Sequence, residues 1–224
     1  MKASEIYDRY ILKSEANGTN DNVSIDKSRF VEIYNESQYR FTEYIYDQKN
    51  EDDFRYIQSL LIKNLEIHNK KIETDHVSFE LPKNYFDFSS AYALGSKGNC
   101  ASKRIDLFYE IKDIERNFYL SDEFTKPSFE YREAPYMIGS NKVNVFYSKD
   151  FSIDSLILTY YRYPKPLRLQ NPENPESDFD DSFEADFDEK AINRIISAAV
   201  SMHDFNNNSE RGQYNAVFAK RDLM

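Results

Sequence analysis

The sequence predicts an α+β fold: a helical bundle built from N- and C-terminal helices, with a β-sheet region inserted between them. Three observations lead there. Apolar residues recur at helical spacing near both ends, and they alternate with polar residues between about 76 and 163. A Pro-rich, acidic stretch then separates the last alternating segment from the last helical one. The expected parts are residues 1–75 as the N-terminal helical part, 76–163 as the β-rich insertion, 164–189 as a Pro-rich acidic link, and 190–224 as C-terminal helices completing the bundle.

Ile6, Tyr7, Tyr10 and Ile11 make one face of a short first helix, ended by the turn-forming Asn17-Gly18-Thr19-Asn20. A longer helix follows Asp26. Its Phe30, Tyr34, Ser37, Phe41 and Tyr44 are spaced alternately by four and three residues, and Ile33 and Ile45 widen the stripe. Asn50 is placed to cap a third helix, with Glu51, Asp52 and Asp53 in its first turn against the positive end of the helix dipole. Phe54, Ile57, Leu61 and Leu65 would be its buried face.

From His76 the period changes to two. Val77, Phe79 and Leu81 alternate with polar residues up to Pro82, which predicts a strand. Tyr85 to Tyr92 fits neither period, and Gly95-Ser96-Lys97-Gly98-Asn99 reads as a loop. Ile105, Leu107, Tyr109 and Ile111 alternate again, as do Val143, Val145 and Tyr147. A final strand runs from Ile153 through Tyr161 and is stopped by Pro164 and Pro166. Pro172 and Pro175 stiffen the link, and Glu173 to Glu189 holds nine acids and no base. Asp186 with Glu189 resembles a capping box before the helical face Ile192, Ile195, Ile196, Ala199 and Met202. Asn206-Asn207-Asn208 breaks that helix, and Tyr214, Val217 and Phe218 begin a short last one.

With 224 residues, 40% hydrophobic and 30% charged, the chain can bury a core without staples. It holds 18 Tyr and 17 Phe but no Trp, a composition that supplies broad amphipathic contact area as well as core. The formal net charge of −10 offers no counterion release on a phosphate backbone, which argues against sequence-reading of DNA. One cysteine, Cys100, cannot form an internal disulfide, and this fits a reducing compartment. No apolar run reaches the roughly 20 residues of a membrane span, and no apolar signal core is present near the N-terminus. The expected location is therefore cytoplasm, or particles assembled in it.

Motifs for chemistry fail on spacing. Asp178, Asp180, Ser182, Glu184, Asp186 and Glu189 fall on the ligand positions of a calcium loop. Yet Phe183 stands where the sharp turn needs glycine, and the Pro-rich approach cannot supply an entering helix. Five glycines form neither phosphate-binding fingerprint, and one Cys with His68, His76 and His203 lacks zinc-ligand spacing. No Gly-x-Ser-x-Gly occurs. No catalytic, metal or cofactor residues are therefore assigned. The remaining feature is Phe179, Phe183 and Phe187, which recur every four residues through the acidic stretch. They read either as anchors of a partner-docking arm or as rings packed back on their own bundle.

Four pieces occur in a characteristic order. They are the opening helix Ala3-Ser4-Glu5-Ile6-Tyr7-Asp8-Arg9, the helix with Phe30-Val31-Glu32-Ile33-Tyr34-Asn35-Glu36-Ser37-Gln38, the strand Leu156 to Tyr163 with its prolines and acidic link, and the helix Ile192-Asn193-Arg194-Ile195-Ile196-Ser197-Ala198-Ala199. This order resembles that of head-to-tail connector (adaptor or ring) proteins of short-tailed bacteriophages, including crAss-like phages. The resemblance implies a virion protein forming a ring of twelve copies beneath the portal protein and receiving the tail or a second ring protein. DNA would pass through the channel without sequence-specific binding, and no cofactor or membrane would be involved. The alternative is a small soluble enzyme or ligand-binding module with an aromatic pocket in the β-rich region.

Overall fold

The structure, a computed structural model, describes residues 1–16, 26–48, 51–139, 141–175 and 177–206. It divides into two units: Leu61–Arg162, and Met1–Leu60 together with the chain from Tyr163 onward.

Leu61–Arg162 is built on an eight-stranded mixed sheet that curls into a half-barrel. Its strands are β1 (Leu61–Ile67), β2 (Lys70–Ile72), β3 (His76–Glu80), β4 (Tyr85–Ser96), β5 (Lys103–Glu110), β6 (Glu133–Gly139), β7 (Lys142–Phe146) and β8 (Ser152–Arg162). Their spatial order is β1-β8-β4-β5-β6-β7-β3-β2. Every neighbouring pair is antiparallel except β5 and β6, which run parallel. In β3 and β7 the expected alternation holds: Val77 faces Val145 and Phe79 faces Val143 across the ladder, and all four are buried. They join Ala93, Ile105, Ala134, Ile153, Leu156, Leu158 and Tyr160 in one core on a single face of the sheet. Gly95 in β4 permits close packing there, since a Cβ would lie 2.9 Å from the Ser152 carbonyl oxygen and 3.1 Å from Ile105 Cγ1.

Among its described residues the other unit carries three longer helices, α1 (Ala3–Ala16), α2 (Lys27–Gln48) and α5 (Glu189–Asn206), and a short α3 (Glu51–Phe54) that continues as a 3-10 turn through Leu60. Phe30, Tyr34, Ser37 and Phe41 of α2 are buried, as the helical stripe predicts. α1 and α5 are tied along their length by Arg9 to Glu189 (2.7 Å), Arg9 to Asn193 (3.2 Å) and Lys13 to Ser197. Arg194 of α5 pairs with Asp53 at 3.1 Å. The Tyr34 hydroxyl is buried with no hydrogen-bond partner among the described residues, and burial, then the Asp186 charge, pushes its pKa up.

The fold class read from the sequence is overturned. Among the described residues the chain is strand-rich, mostly a curled eight-stranded mixed sheet with five helices, rather than a helical bundle carrying an inserted sheet. Three segments account for the difference. The expected third helix stops at Phe54, the 3-10 turn ends at Leu60, and Leu61 and Leu65 lie in β1. Tyr85 to Tyr92 and the expected loop residues Gly95 and Ser96 together belong to β4, the longest strand among the described residues. Residues 133–139 form β6, which the pattern did not reveal. The boundary between the first helices and the sheet accordingly falls at Leu60, not at residue 75. The turn at residues 17–20, the Asn50 cap and the last helix from Tyr214 lie outside the described residues.

The segment 164–189 is packed against its own unit instead of crossing solvent. Asn35 of α2 grips Leu167 twice, donating from Nδ2 to its carbonyl (2.9 Å) and accepting its N–H at Oδ1 (2.8 Å). Gln38 donates to the Lys165 carbonyl (3.1 Å), and Asp186 accepts the Lys165 N–H (2.7 Å). Leu169 and Phe179 form an antiparallel bridge. Hydrogen-bonding the backbone in this way lets an extended, irregular chain bury its side chains.

Truncating the rings in this segment therefore opens cavities. Phe179→Ala and Phe187→Ala are each expected to destabilise the helical unit by about 3–4 kcal/mol. Urea denaturation followed by helical circular dichroism measures this, and variants as stable as the parent chain would contradict the packing described.

Candidate interaction surface

Parallel strands cannot be joined by a tight turn, so the chain must cross over between β5 and β6. It does so through residues 111–132, which are fastened at both ends. At the entry, Ile111 is buried and its N–H donates to the Tyr136 carbonyl at 2.8 Å. At the exit, buried Phe129 packs on Phe151 with ring centroids 5.9 Å apart, beneath the Lys103 ammonium at 4.8 Å. Ser128 and Glu133 exchange backbone hydrogen bonds of 2.9 and 3.1 Å. Arg132, at a left-handed φ of 60°, accepts the Asp106 N–H at 2.7 Å.

Between these fastenings the crossover turns its apolar side chains outward. A 3-10 turn at Asp113–Glu115 leads into α4 (Arg116–Ser121), and neither contains a buried residue. Ile114 is 91% exposed, Phe118 65% and Phe124 88%, and Phe108 on the adjoining β5 is 63% exposed. Ring contacts run from Phe108 to Tyr109 (5.4 Å), Tyr109 to Tyr119 (5.6 Å) and Tyr119 to Phe118 (5.6 Å), making one continuous aromatic surface.

A six-residue helix has little stability of its own, so α4 depends on its anchor. Arg116 donates from Nε to Asp75 Oδ2 at 3.0 Å and again from Nη2, a two-pronged contact. Asp75 Oδ1 lies 2.9 Å from His76 Nδ1, and the Arg116 guanidinium sits 5.5 Å over the Phe146 ring. Partial burial raises the Asp75 pKa, but Arg116 and His76 together outweigh it and hold the carboxyl below its ordinary value.

The surface is acidic. From Glu110 to Phe124 there are five carboxylates (Glu110, Asp113, Glu115, Asp122, Glu123) against two cations, and Arg116 is already committed to Asp75. Nothing in the sequence pattern marked this surface, although Ile114 and Phe118 sit one helical turn apart within an acid-rich run.

The three rings singled out from the sequence lie elsewhere and inside. Phe179, Phe183 and Phe187 are 7%, 8% and 6% exposed. Phe179 contacts Tyr7 at 5.4 Å and Phe30 at 5.9 Å, and Phe187 meets Phe41 edge-on at 5.8 Å. They serve as core of the helical unit, which corrects their reading as anchors of a docking arm. The calcium-like acids are engaged separately: Asp178 pairs with Lys27 (2.9 Å), Asp180 accepts from Ser182 (2.7 Å), and Glu189 pairs with Arg9. Among the described residues no group of His, Cys, Asp and Glu is arranged to hold a metal. A cleft of about 370 Å³, lined by Tyr7, Asp8, Lys27, Asp178 and Phe179 among others, lies in the helical unit and not in the β-rich region. Cys100 is exposed, His203 is buried, and His76 opens β3. No helix among the described residues is long and apolar enough to cross a membrane.

Asp75 gives the anchor a defined pH range. A carboxyl with a lowered folded-state pKa contributes above its ordinary value of about 4, and the contribution is lost as pH falls through the lowered value. The crossover is thus expected to stay anchored at pH 5 and to loosen only in stronger acid. At neutral pH, Asp75→Asn should speed amide hydrogen exchange across 112–121 several-fold, on the order of 1 kcal/mol for a partly exposed pair. Core strands should be unaffected. Unchanged exchange in that segment would show that Asp75 does not hold it.

No protein family and no curated protein matches this chain by sequence.

Proposed function

We propose that this chain is a structural assembly protein of a virion, a ring-forming head-to-tail connector subunit. In this reading it binds the portal protein, its own neighbours, and the tail or a second ring protein. The observation that carries the reading is the crossover between β5 and β6, which presents Ile114, Phe118 and Phe124 to solvent, Phe118 from a helix with no buried residue. A chain that burdens its surface with large apolar groups gains from covering them with another protein. The order of helical and strand segments supplies the connector identity, as a resemblance. The net charge of −10 suits a channel wall, because acidic surfaces give packaged DNA no phosphate neutralisation to adhere to.

The test is cryo-electron microscopy of the particle made by the virus that encodes the chain, with quantitative mass spectrometry of the purified particle. The expected result is about twelve copies in a ring beneath the portal, consistent with closed cyclic symmetry. A chain absent from purified particles and found only as a soluble monomer would overturn the proposal.

A further inference from the structure

We infer that the crossover face of Phe108, Ile114, Phe118 and Phe124 is the docking site for a basic, apolar-bearing segment of a different protein. This rests on the reading of the chain as an assembly protein and adds the chemistry of its partner. Two properties of the face select that occupant. Phe108 and Phe118 are joined by ring contacts of 5.4–5.6 Å through Tyr109 and Tyr119, and Ile114 and Phe124 are exposed on the same crossover. Aromatic side chains are enriched among the residues that anchor protein interfaces.

The second property is charge. Five carboxylates, Glu110, Asp113, Glu115, Asp122 and Glu123, alternate in sequence with the exposed apolar residues of the crossover, and Arg116 is neutralised by Asp75. A DNA backbone or an anionic lipid surface would be repelled. Two copies meeting face to face would set these carboxylates against themselves, because an isologous contact repeats the same patch on both sides. A second copy meeting the face with a different surface still brings a chain of net charge −10. A segment carrying Lys or Arg between apolar side chains satisfies both properties: its apolar groups cover Phe118 and Phe124 while its cations meet Glu110, Asp113 and Glu123.

The full chain is tested with a synthetic amphipathic helical peptide of Leu and Lys, about 18 residues long. A Leu/Glu peptide and a Ser/Lys peptide of the same pattern serve as comparators. Binding is read by fluorescence anisotropy, and its location by amide hydrogen exchange. The Leu/Lys peptide is expected to bind at least tenfold more tightly than either comparator and to protect residues 108–124. The double variant Phe118→Ser, Phe124→Ser should lower affinity at least tenfold. The triple variant Glu110→Gln, Asp113→Asn, Glu123→Gln should lower it several-fold and flatten its salt dependence. All five side chains belong to residues at the surface, and circular dichroism checks that the variants remain folded. Protection elsewhere or nowhere, equal binding of the Leu/Glu peptide, or affinity unmoved by the Phe variants would overturn the inference. So would self-association of the chain that is lost in the Phe118→Ser, Phe124→Ser variant. These results are separate from the particle test: a chain incorporated in virions whose crossover fails to bind defeats only the inference, and a peptide-binding chain absent from virions defeats the connector reading.

Discussion

Two neighbouring strands that run in the same direction must be joined by a chain that travels back along the sheet, and the surface described here follows from that constraint. β5 and β6 are paired in register, Asp106 with Glu133 and Leu107 with Ala134, within a sheet whose other neighbours are antiparallel. Among the neighbouring strands that are consecutive in the chain, this is the pair that a tight turn cannot join. Crossovers usually return across a sheet face and bury their helix there. In this chain the ends of the crossover, at Ile111 and at Pro127 and Phe129, are buried, while α4 between them contributes no buried residue. The topology requires the segment; its outward-facing aromatic residues are a separate choice of sequence.

How much of this was legible depended on whether periodicity survived local irregularity. The stripes Phe30-Tyr34-Ser37-Phe41 and Ile192-Ile195-Ile196-Ala199 follow a regular helix and mark buried faces as expected. Val77-Phe79 and Val143-Val145 do the same for regular strands. β1 was misread because it bulges at Asn64, whose φ is 54°, so that its inward residues are Ile62, Leu65 and Ile67. The expected helix face instead continues Phe54 and Ile57 through Leu61 and Leu65, a spacing of three and four that runs across the real end of the 3-10 turn at Leu60. β4 has three register shifts, between Tyr85 and Asp87, Phe88 and Ser90, and Leu94 and Gly95, each of which disturbs the alternation of faces.

The candidate surface was illegible for a different reason. Burial of Phe179, Phe183 and Phe187 depends on Asn35 and Gln38 holding the backbone of a segment distant in sequence, information that no local pattern contains. Conversely, Ile114 and Phe118 have the four-residue spacing of an ordinary buried helix face, yet both lie outside. Acidic aromatic stretches thus occur twice in the chain with opposite fates. One is core of the helical unit, and the other supports the assembly role proposed here.

The central claim, that the crossover presents aromatic side chains to water in the isolated chain, can be tested cleanly because the sequence has no tryptophan. Phe124→Trp places a single reporter on the crossover, and Phe129→Trp places one in the core beside Phe151. The most direct measurement is their fluorescence in the free protein. The account predicts water-exposed, red-shifted emission at position 124 with full access to acrylamide, and blue-shifted, shielded emission at 129. Shielded emission at 124 in the free, monomeric chain would contradict it.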